Sequence, residues 1–217
     1  MAKLSKRSLY KQEEIYQTKK SNDKSTLVCK ANKYKFYEKI IISSLSLLFV
    51  TATAFSQKTV MVGGAEMYPT KNIIENAINS KDHTTLVAAV KAAGLVETLQ
   101  GTGPFTVFAP TNDAFAKLPA GTVDNLLKPE NKATLSAVLT YHVVAGKFSS
   151  DAVSKAIKAG KGKAELKTVQ GGTLTAMMSG KDVVLKDEKG NTSKITIMDV
   201  NQSNGVIHVI DAVALPK

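Results

Sequence analysis

The sequence has little arginine and little cysteine, and both shortages limit what the protein can do. Arg7 is its single arginine and Cys29 its single cysteine, and both precede residue 30 of the 217. Arginine supplies the planar, bidentate contacts to phosphate and guanine that favour nucleic-acid recognition. A single cysteine leaves no intramolecular disulfide, which a core of about 150 residues does not require. We therefore expect a disulfide-free domain that does not bind nucleic acid.

The positive charge of the chain is distributed unevenly. The formal net charge is +11, and 43% of the residues are hydrophobic, as in globular proteins with a core. Residues 1–56 hold eleven Lys and Arg against four Asp and Glu, whereas residues 57–217 hold eighteen Lys against fourteen Asp and Glu. The net charges are thus +7 and +4, so most of the excess lies before the globular part.

A short apolar run in residues 40–56 has the features of an export signal. Lys33, Lys35 and Lys39 precede it, and the small residues Ala54 and Ser56 follow it. The run is shorter than the ~20 residues that a membrane-spanning helix needs. This order of basic, apolar and small residues predicts a secretory signal peptide that is cleaved near Ser56.

The residues before this run are a basic N-terminal extension, 1–39, to which we assign no fold. Signal peptides have short basic regions, and no methionine lies between Met1 and Met61. Two interpretations stay open. Translation begins at another codon near Leu27 or Val28, or the extension is genuine and the apolar run is an uncleaved membrane anchor. Residues 57–70 are expected to be a linker.

Helical patterns dominate the first half of the globular region. Apolar residues at helical spacing predict helices over 73–78, 83–93, 132–140 and 151–159. Asp82 is the expected N-cap of the second helix, and Gly94 lies where a helix-ending glycine belongs. Ser149 or Ser150 is expected to cap the fourth.

Strand patterns follow. Residues 105–109 read as a strand ending at Pro110, and Thr111, Asn112 and Asp113 offer side-chain oxygens to cap a short helix. From residue 164 onward, apolar and polar residues alternate as they do in β-strands. The strand-like runs are 164–169, 173–178, 182–187, 193–200 and 206–214. Turn residues such as Asn204-Gly205 separate these runs. The last run is apolar on both faces, which predicts a strand that is covered on both sides. The pattern predicts an α+β fold with an antiparallel meander that the early strand must join.

Three segments stand out in the globular region, namely FTVFAPTNDAF from Phe105 to Phe115, Tyr141-His142, and NGVIHVIDAVALP from Asn204 to Pro216. Together they resemble the signatures of the fasciclin (FAS1) family. Their order and spacing are similar to those of the family, and the resemblance covers residues 71–217. It implies an antiparallel β-wedge packed with several helices. It also implies a secreted, periplasmic or cell-surface protein that acts in adhesion or matrix contacts and is not an enzyme, as in bacterial single-domain members.

Site assignments carried by the resemblance fall into two groups. Tyr141 and His142 match the motif proposed to contact partners in animal members. The other motif residues are expected to define the fold, and they are Thr106, Phe108, Pro110, Thr111, Asn112, Asp113, Phe115, Asn204, Gly205, His208 and Asp211.

The position of each histidine in the apolar pattern of the sequence predicts whether it is buried. His142 continues the apolar stripe of its helix, and His208 alternates in register with Val206 and Ile210, so both are expected in the core. Asp211 is on the opposite face of that strand from His208, which disfavours a catalytic pair. His83 is expected to be exposed. Because the histidines are scattered and no catalytic or phosphate-binding motif is present, we expect no metal, no cofactor and no enzymatic activity.

Three functions stay open for this sequence. The first is an exported module that binds a protein or glycan surface, including anionic polysaccharide at the lysine-rich stretch 155–167, whose alternative interpretation is a solvated helix end. The second is a carrier of a small ligand in an apolar cleft between helices and sheet. The third is a hydrolase that uses His142.

Overall fold

The computed structural model describes residues 59–217, and a seven-stranded sheet organises them. The signal peptide and basic extension expected within 1–56 lie outside the described residues. The strands are β1 (Val60–Val62), β2 (Ala65–Met67), β3 (Phe105–Pro110), β4 (Val143–Ala145), β5 (Lys163–Lys167), β6 (Thr173–Ser179), β7 (Asp182–Lys186), β8 (Thr192–Gln202) and β9 (Gly205–Ile210). The helices are α1 (Ile73–Ala77), α2 (Thr84–Ala93), α3 (Val96–Gln100), α4 (Asn112–Ala116), α5 (Thr122–Leu126), α6 (Lys132–Tyr141) and α7 (Ser150–Ala159), with short 3-10 turns at Lys81–His83 and Pro129–Asn131.

The large sheet combines the predicted meander with the early strand. Its order is β4-β3-β9-β8-β7-β6-β5, and its pairs are antiparallel except for β3 and β9, which run parallel. The two edges approach each other, because Val144 bridges Thr168 and the Val169 N–H donates to the Val143 carbonyl at 2.8 Å. The sheet is therefore strongly curled. The prediction of an α+β fold is confirmed.

Two hydrophobic cores lie on the two faces of this sheet. Alternate residues of β3 serve each core, since Val107 and Ala109 pack with the helices whereas Phe108 packs inside the curl. Strand β9 divides in the same way, with Ile207 on the helix side and Ile210 on the other. Coverage on both sides explains why all six residues of β9 are buried, His208 among them, and the expected burial of both faces is confirmed.

Helix ends follow the sequence rules in some places and long-range contacts in others. Thr111 and Ser149 accept hydrogen bonds from the N–H groups of Ala114 and Ala152, as predicted for N-caps. Gly94 ends α2 with a left-handed φ of 75°. The expected Asp82 cap is wrong, because α2 begins at Thr84.

The N-cap contact of α2 comes from a distant residue. The side-chain oxygen of Asn112 accepts the Thr85 N–H at 3.0 Å, and its amide nitrogen donates to the Lys81 carbonyl at 2.9 Å. The corner between β3 and α4 therefore caps a helix 27 residues earlier in the chain. Sequence spacing alone cannot reveal such a cap.

A second correction concerns residues 57–70, which were expected to be a linker. Strands β1 and β2 form a hairpin there, turned by Gly63 and Gly64 with φ of 57° and 75°. Val62 and Met67 are buried in the helix-side core. Two buried side chains in three-residue strands give too short a pattern to read from sequence, yet they make this segment part of the packed domain.

Candidate functional site

Tyr141 and His142 lie at the end of α6, where the chain turns into β4. Their exposed fractions are 0% and 3%. The predicted burial of His142 is thereby confirmed, and burial also keeps the Tyr141 ring from direct contact with a macromolecular partner. What these two side chains touch inside the domain decides their role.

The Tyr141 hydroxyl joins three elements. It donates to the Thr173 carbonyl of β6 at 2.8 Å and accepts the Glu188 N–H, just after β7, at 3.2 Å. Its ring needs Gly172 beside it, because a Cβ there would stand 2.8 Å from Tyr141 Cε2. Burial raises the pKa of the phenol, which favours the protonated form that donates this hydrogen bond.

His142 is held as one neutral tautomer by two backbone groups. Nδ1 lies 2.8 Å from the Val138 carbonyl, an acceptor, so this nitrogen carries the proton. Nε2 accepts the Ala214 N–H at 3.0 Å. Burial lowers the pKa of the imidazole, outweighing the opposite effect of the Val138 carbonyl. Neither nitrogen is free to exchange a proton with a substrate, so this geometry does not favour a hydrolase that uses His142.

His208 has the same kind of environment on β9. Nε2 donates to the Phe148 carbonyl at 2.8 Å, and Nδ1 accepts the Asp199 N–H at 3.3 Å. Its ring stacks on Phe108 at a centroid distance of 5.7 Å. Burial lowers the pKa of this histidine as well. His208 is thus a core residue, as predicted.

Asp211 is engaged elsewhere. Its carboxylate accepts the Lys194 N–H at 2.8 Å and lies 3.6 Å from the Lys117 ammonium. The geometry thus gives His208 and Asp211 separate partners, in agreement with the argument against a catalytic pair.

The prediction that His83 is exposed is wrong, because its exposed fraction is 3%. Its Nδ1 lies 2.8 Å from the Ser80 hydroxyl, and Nε2 has no hydrogen-bond partner among the described residues. Burial lowers the pKa of this ring, against a smaller opposing effect of the Ala109 carbonyl. The turn at 81–83 packs inward because Asn112 draws the Lys81 carbonyl toward the sheet.

The remaining residues of the first motif hold β3 in place. The Thr106 hydroxyl donates to the Gly146 carbonyl at 2.7 Å and accepts the Phe148 N–H at 2.9 Å. Phe108 and Phe115 are buried on opposite faces of the sheet. Pro110 is the last residue of β3, and Asp113 is exposed in the first turn of α4. This motif therefore builds the corner between β3 and α4.

Asn204 and Gly205 have the same structural character at the β8–β9 turn. The Asn204 side-chain oxygen accepts the Ile73 N–H at 3.1 Å, which caps α1. Its amide nitrogen donates to the carbonyls of Leu99 and Gly101, at 2.8 and 2.9 Å, at the end of α3. Gly205 lies against the backbone of Phe105.

The fasciclin domain model matches residues 81–216. That span is more than half of the chain and contains all three motifs. The chain belongs to the fasciclin family.

Relatives and a solved structure agree with this assignment. The chain is 48% identical over 163 residues to protein sll1483 of Synechocystis, covering 74% of this chain and 82% of the relative. It is 36% identical over 145 residues to the cell surface glycolipoprotein MPB83 of Mycobacterium bovis, covering 64% of this chain and 58% of the relative. The fold is similar to the FAS1 domain pair of the insect cell adhesion molecule fasciclin I, with a TM-score of 0.58 at 17% identity, over 66% of this chain and 50% of that one.

One structural residue of this fasciclin domain, Asp187, was missed by sequence reasoning. Asp187 is buried, and its carboxylate accepts the N–H groups of Asn191 at 2.8 Å and Leu215 at 2.9 Å. Together with His142 it ties down the segment after β9. The strand predicted over 206–214 ends at Ile210. The Asp211 N–H still donates to the Lys194 carbonyl of β8 at 3.1 Å, whereas the Ala214 and Leu215 N–H groups donate to side chains. An Asp at a strand end before Gly190-Asn191 is a turn signal that could have indicated this.

Residues 59–217 contain no cluster of three His, Cys, Asp or Glu side chains placed to hold a metal ion. None of the helices in that range has the length and apolar character needed to cross a membrane.

The contacts of Asn204 yield a first prediction. Asn204→Ala leaves the Ile73 N–H and two carbonyls without partners, and we expect the free energy of unfolding to fall by about 2 kcal/mol. Urea unfolding followed by circular dichroism measures this. The control is Asn201→Ala, whose amide is exposed and makes one contact, to the Asp199 carbonyl. Equal losses for the two variants would contradict the capping role.

Proposed function

We propose that this protein is an exported, non-catalytic fasciclin module that mediates adhesion or contacts with the cell envelope or extracellular matrix. The proposal rests on one observation, which is that side chains of the signature motifs are buried and hydrogen-bonded inside the domain. Tyr141, His142 and His208 bond to backbone groups, which leaves recognition to the outer surface of the domain. Export is supported by the apolar run at 40–56 and by a relative named as a cell surface protein.

The surface best suited to recognition is a group of five exposed lysines, here called the lysine face. It lies on α7, the following turn and edge strand β5, and its members are Lys155, Lys158, Lys161, Lys163 and Lys167. Glu165 is the one acidic residue within that stretch. Among residues 59–217, ion pairs form at Lys117 and Lys194 but at none of these five lysines.

Strand register extends this surface across the sheet. Glu165 pairs with Thr175, and Thr175 pairs with Lys186 of β7, so Lys186 lies two strands from the edge on the same exposed side. Unpaired ammonium groups raise the local concentration of acidic polymers. An anionic polysaccharide is accordingly the partner that this face fits best.

The test is retention on immobilised heparin, used as an acidic polysaccharide, with increasing salt. The variant Lys155→Gln/Lys163→Gln/Lys167→Gln is expected to elute at clearly lower salt than the wild type, because close charge contacts carry the binding. The matched control is Lys128→Gln/Lys181→Gln/Lys189→Gln, which removes the same charge at exposed positions elsewhere. Equal shifts for both variants, or no retention of the wild type, would contradict binding at the lysine face.

A further inference from the structure

Asn204-Gly205 is the only asparagine–glycine pair in the 217 residues of the chain. In such a pair the backbone nitrogen of the glycine attacks Cγ of the asparagine side chain, and the amide group leaves as ammonia. The resulting succinimide ring takes up water and opens to aspartate or isoaspartate. Glycine favours this attack because it has no side chain to restrict the backbone or to block the approach. The β8–β9 turn therefore contains the asparagine that is chemically most prone to deamidation.

The packing of the domain depends on both residues of this reactive pair. The Asn204 amide group bonds to three backbone groups, which lie at the start of α1 and at the end of α3. A side chain at position 205 would collide with the backbone of Phe105 in the neighbouring strand. Replacement of either residue therefore costs stability, and the fold retains a chemically labile pair in its interior.

The same contacts oppose deamidation in the folded domain. Ring closure needs the side-chain Cγ to turn toward the Gly205 nitrogen, but both polar atoms of the Asn204 side chain are held by other elements. The Asn204 carbonyl belongs to the attacking peptide group, and it accepts the Phe105 N–H at 3.0 Å, which fixes the orientation of that group. Asn204 is also buried, with an exposed fraction of 8%, which limits access of the water that opens the ring.

The products of the reaction do not fit the place of the amide. An aspartate carboxylate still accepts the Ile73 N–H, but it has no hydrogen to donate to the carbonyls of Leu99 and Gly101. Its negative charge would be buried beside two carbonyl oxygens, which disfavours folding. Isoaspartate also lengthens the main chain by a methylene between β8 and β9, and so displaces Gly205 from its register with Phe105.

We propose that Asn204 is a modification site that is closed in the folded domain and open in the unfolded chain. Deamidation there makes an unfolding event irreversible, because the modified chain does not regain the native turn. The isoaspartyl product is a substrate for the class of methyltransferase that transfers a methyl group from S-adenosylmethionine to isoaspartyl carboxyl groups. This site shares no residue with the lysine face, so it is independent of the proposed adhesion function and either can fail alone.

The first test compares the rates of modification in the folded and the unfolded protein. The full chain is incubated in mildly alkaline buffer with and without urea, and mass spectrometry follows the peptide that contains residue 204. We expect the loss of Asn204 to be at least about 100-fold slower in the folded protein, because only the open fraction of molecules reacts. Equal rates in the two states, or no modification in urea, overturn the proposal.

A matched control places the same pair at an unprotected position. Lys189→Asn puts an asparagine before Gly190 in the turn after β7, where both residues are exposed. We expect this added site to react in the folded protein at a rate close to that of position 204 in urea. Asn201, which is followed by Gln202, is expected to react much more slowly in urea than Asn204 does. Equally slow reaction of the two asparagine–glycine pairs in the folded protein would show that the contacts of Asn204 are not what protects it, and overturns the proposal.

Refolding tests the irreversible step. After increasing times in alkaline urea, dilution is expected to return to the native state only the chains that keep Asn204. An isoaspartyl methyltransferase with labelled S-adenosylmethionine should label only the chains that stay unfolded. The control is the same time in mildly acidic urea, where ring closure is slow and the protein should refold in full. A refolded fraction that carries the modification in the same proportion as the incubated mixture overturns the proposal.

Discussion

Gly205→Ala is expected to lower the free energy of unfolding by about 3 kcal/mol or more, or to prevent folding altogether. A Cβ at this position would stand 2.1 Å from the Phe105 carbonyl oxygen and 3.0 Å from its carbon. Both atoms belong to the backbone of the neighbouring strand. Gly205 and Phe105 are the first register pair of the parallel β3–β9 ladder, so relief of the clash requires these central strands to separate.

The control for this prediction is Gly190→Ala, in the turn after β7. Within residues 59–217 no neighbouring atom lies within 4 Å of a Cβ there, although the φ of 91° makes a side chain unfavourable. We expect a loss of about 1 kcal/mol from backbone strain alone. Urea unfolding of both variants, followed by circular dichroism, gives the comparison. If Gly205→Ala is no less stable than Gly190→Ala, the close approach of β3 and β9 does not require glycine.

Stability is expected to fall steeply as the pH is lowered below about 6.5. His83, His142 and His208 are buried, and burial lowers the pKa of each in the native state. In the unfolded chain their pKa is about 6.5. Below that pH the unfolded state binds more protons than the native state, so protonation favours unfolding. The stabilisation is complete above the unfolded pKa and is lost as the pH falls.

The size of this effect follows from proton linkage. Each histidine contributes a slope of up to about 1.4 kcal/mol per pH unit, so the three together give up to about 4 kcal/mol per pH unit. Urea unfolding at intervals between pH 7.5 and about 5 measures the slope. A free energy of unfolding that is constant from pH 7 to 5 would contradict the neutral, buried state of these rings.

A substitution assigns part of this slope to one residue. His142→Gln removes a titrating group but keeps a side-chain oxygen able to accept the Ala214 N–H. We expect it to lower stability at pH 7.5, where the Val138 contact is weakened, and to reduce the slope by about one third. If the free energy of unfolding of this variant depends on pH as steeply as that of the wild type, His142 does not take up a proton on unfolding.

The fold could be predicted from the sequence where local patterns decide it. The meander after residue 164, the caps at Thr111 and Ser149, and the two-sided burial of β9 all depend on period or turn chemistry within a few residues. The burial of His142 and His208 also followed from their places in apolar stripes.

The errors share a different physical origin, which is contact between distant parts of the chain. Asn112 caps α2 in place of Asp82 and draws the turn containing His83 into the core. The last strand ends at Ile210, and further along the chain the side chains of His142 and Asp187 accept the N–H groups of Ala214 and Leu215. A cavity beside α2 is lined by side chains of α1, α3, α6, β3 and β9 as well, and no segment of the sequence contains its pattern.

The most direct test of the account is a paired measurement of stability and heparin retention at pH 7.5. His142→Gln should unfold at lower urea than the wild type and elute from heparin at the same salt. The lysine-face variant Lys155→Gln/Lys163→Gln/Lys167→Gln should unfold at the same urea concentration as the wild type and elute at lower salt. Early elution of folded His142→Gln, with unchanged retention of the lysine-face variant, would contradict the division between structural motif and binding surface.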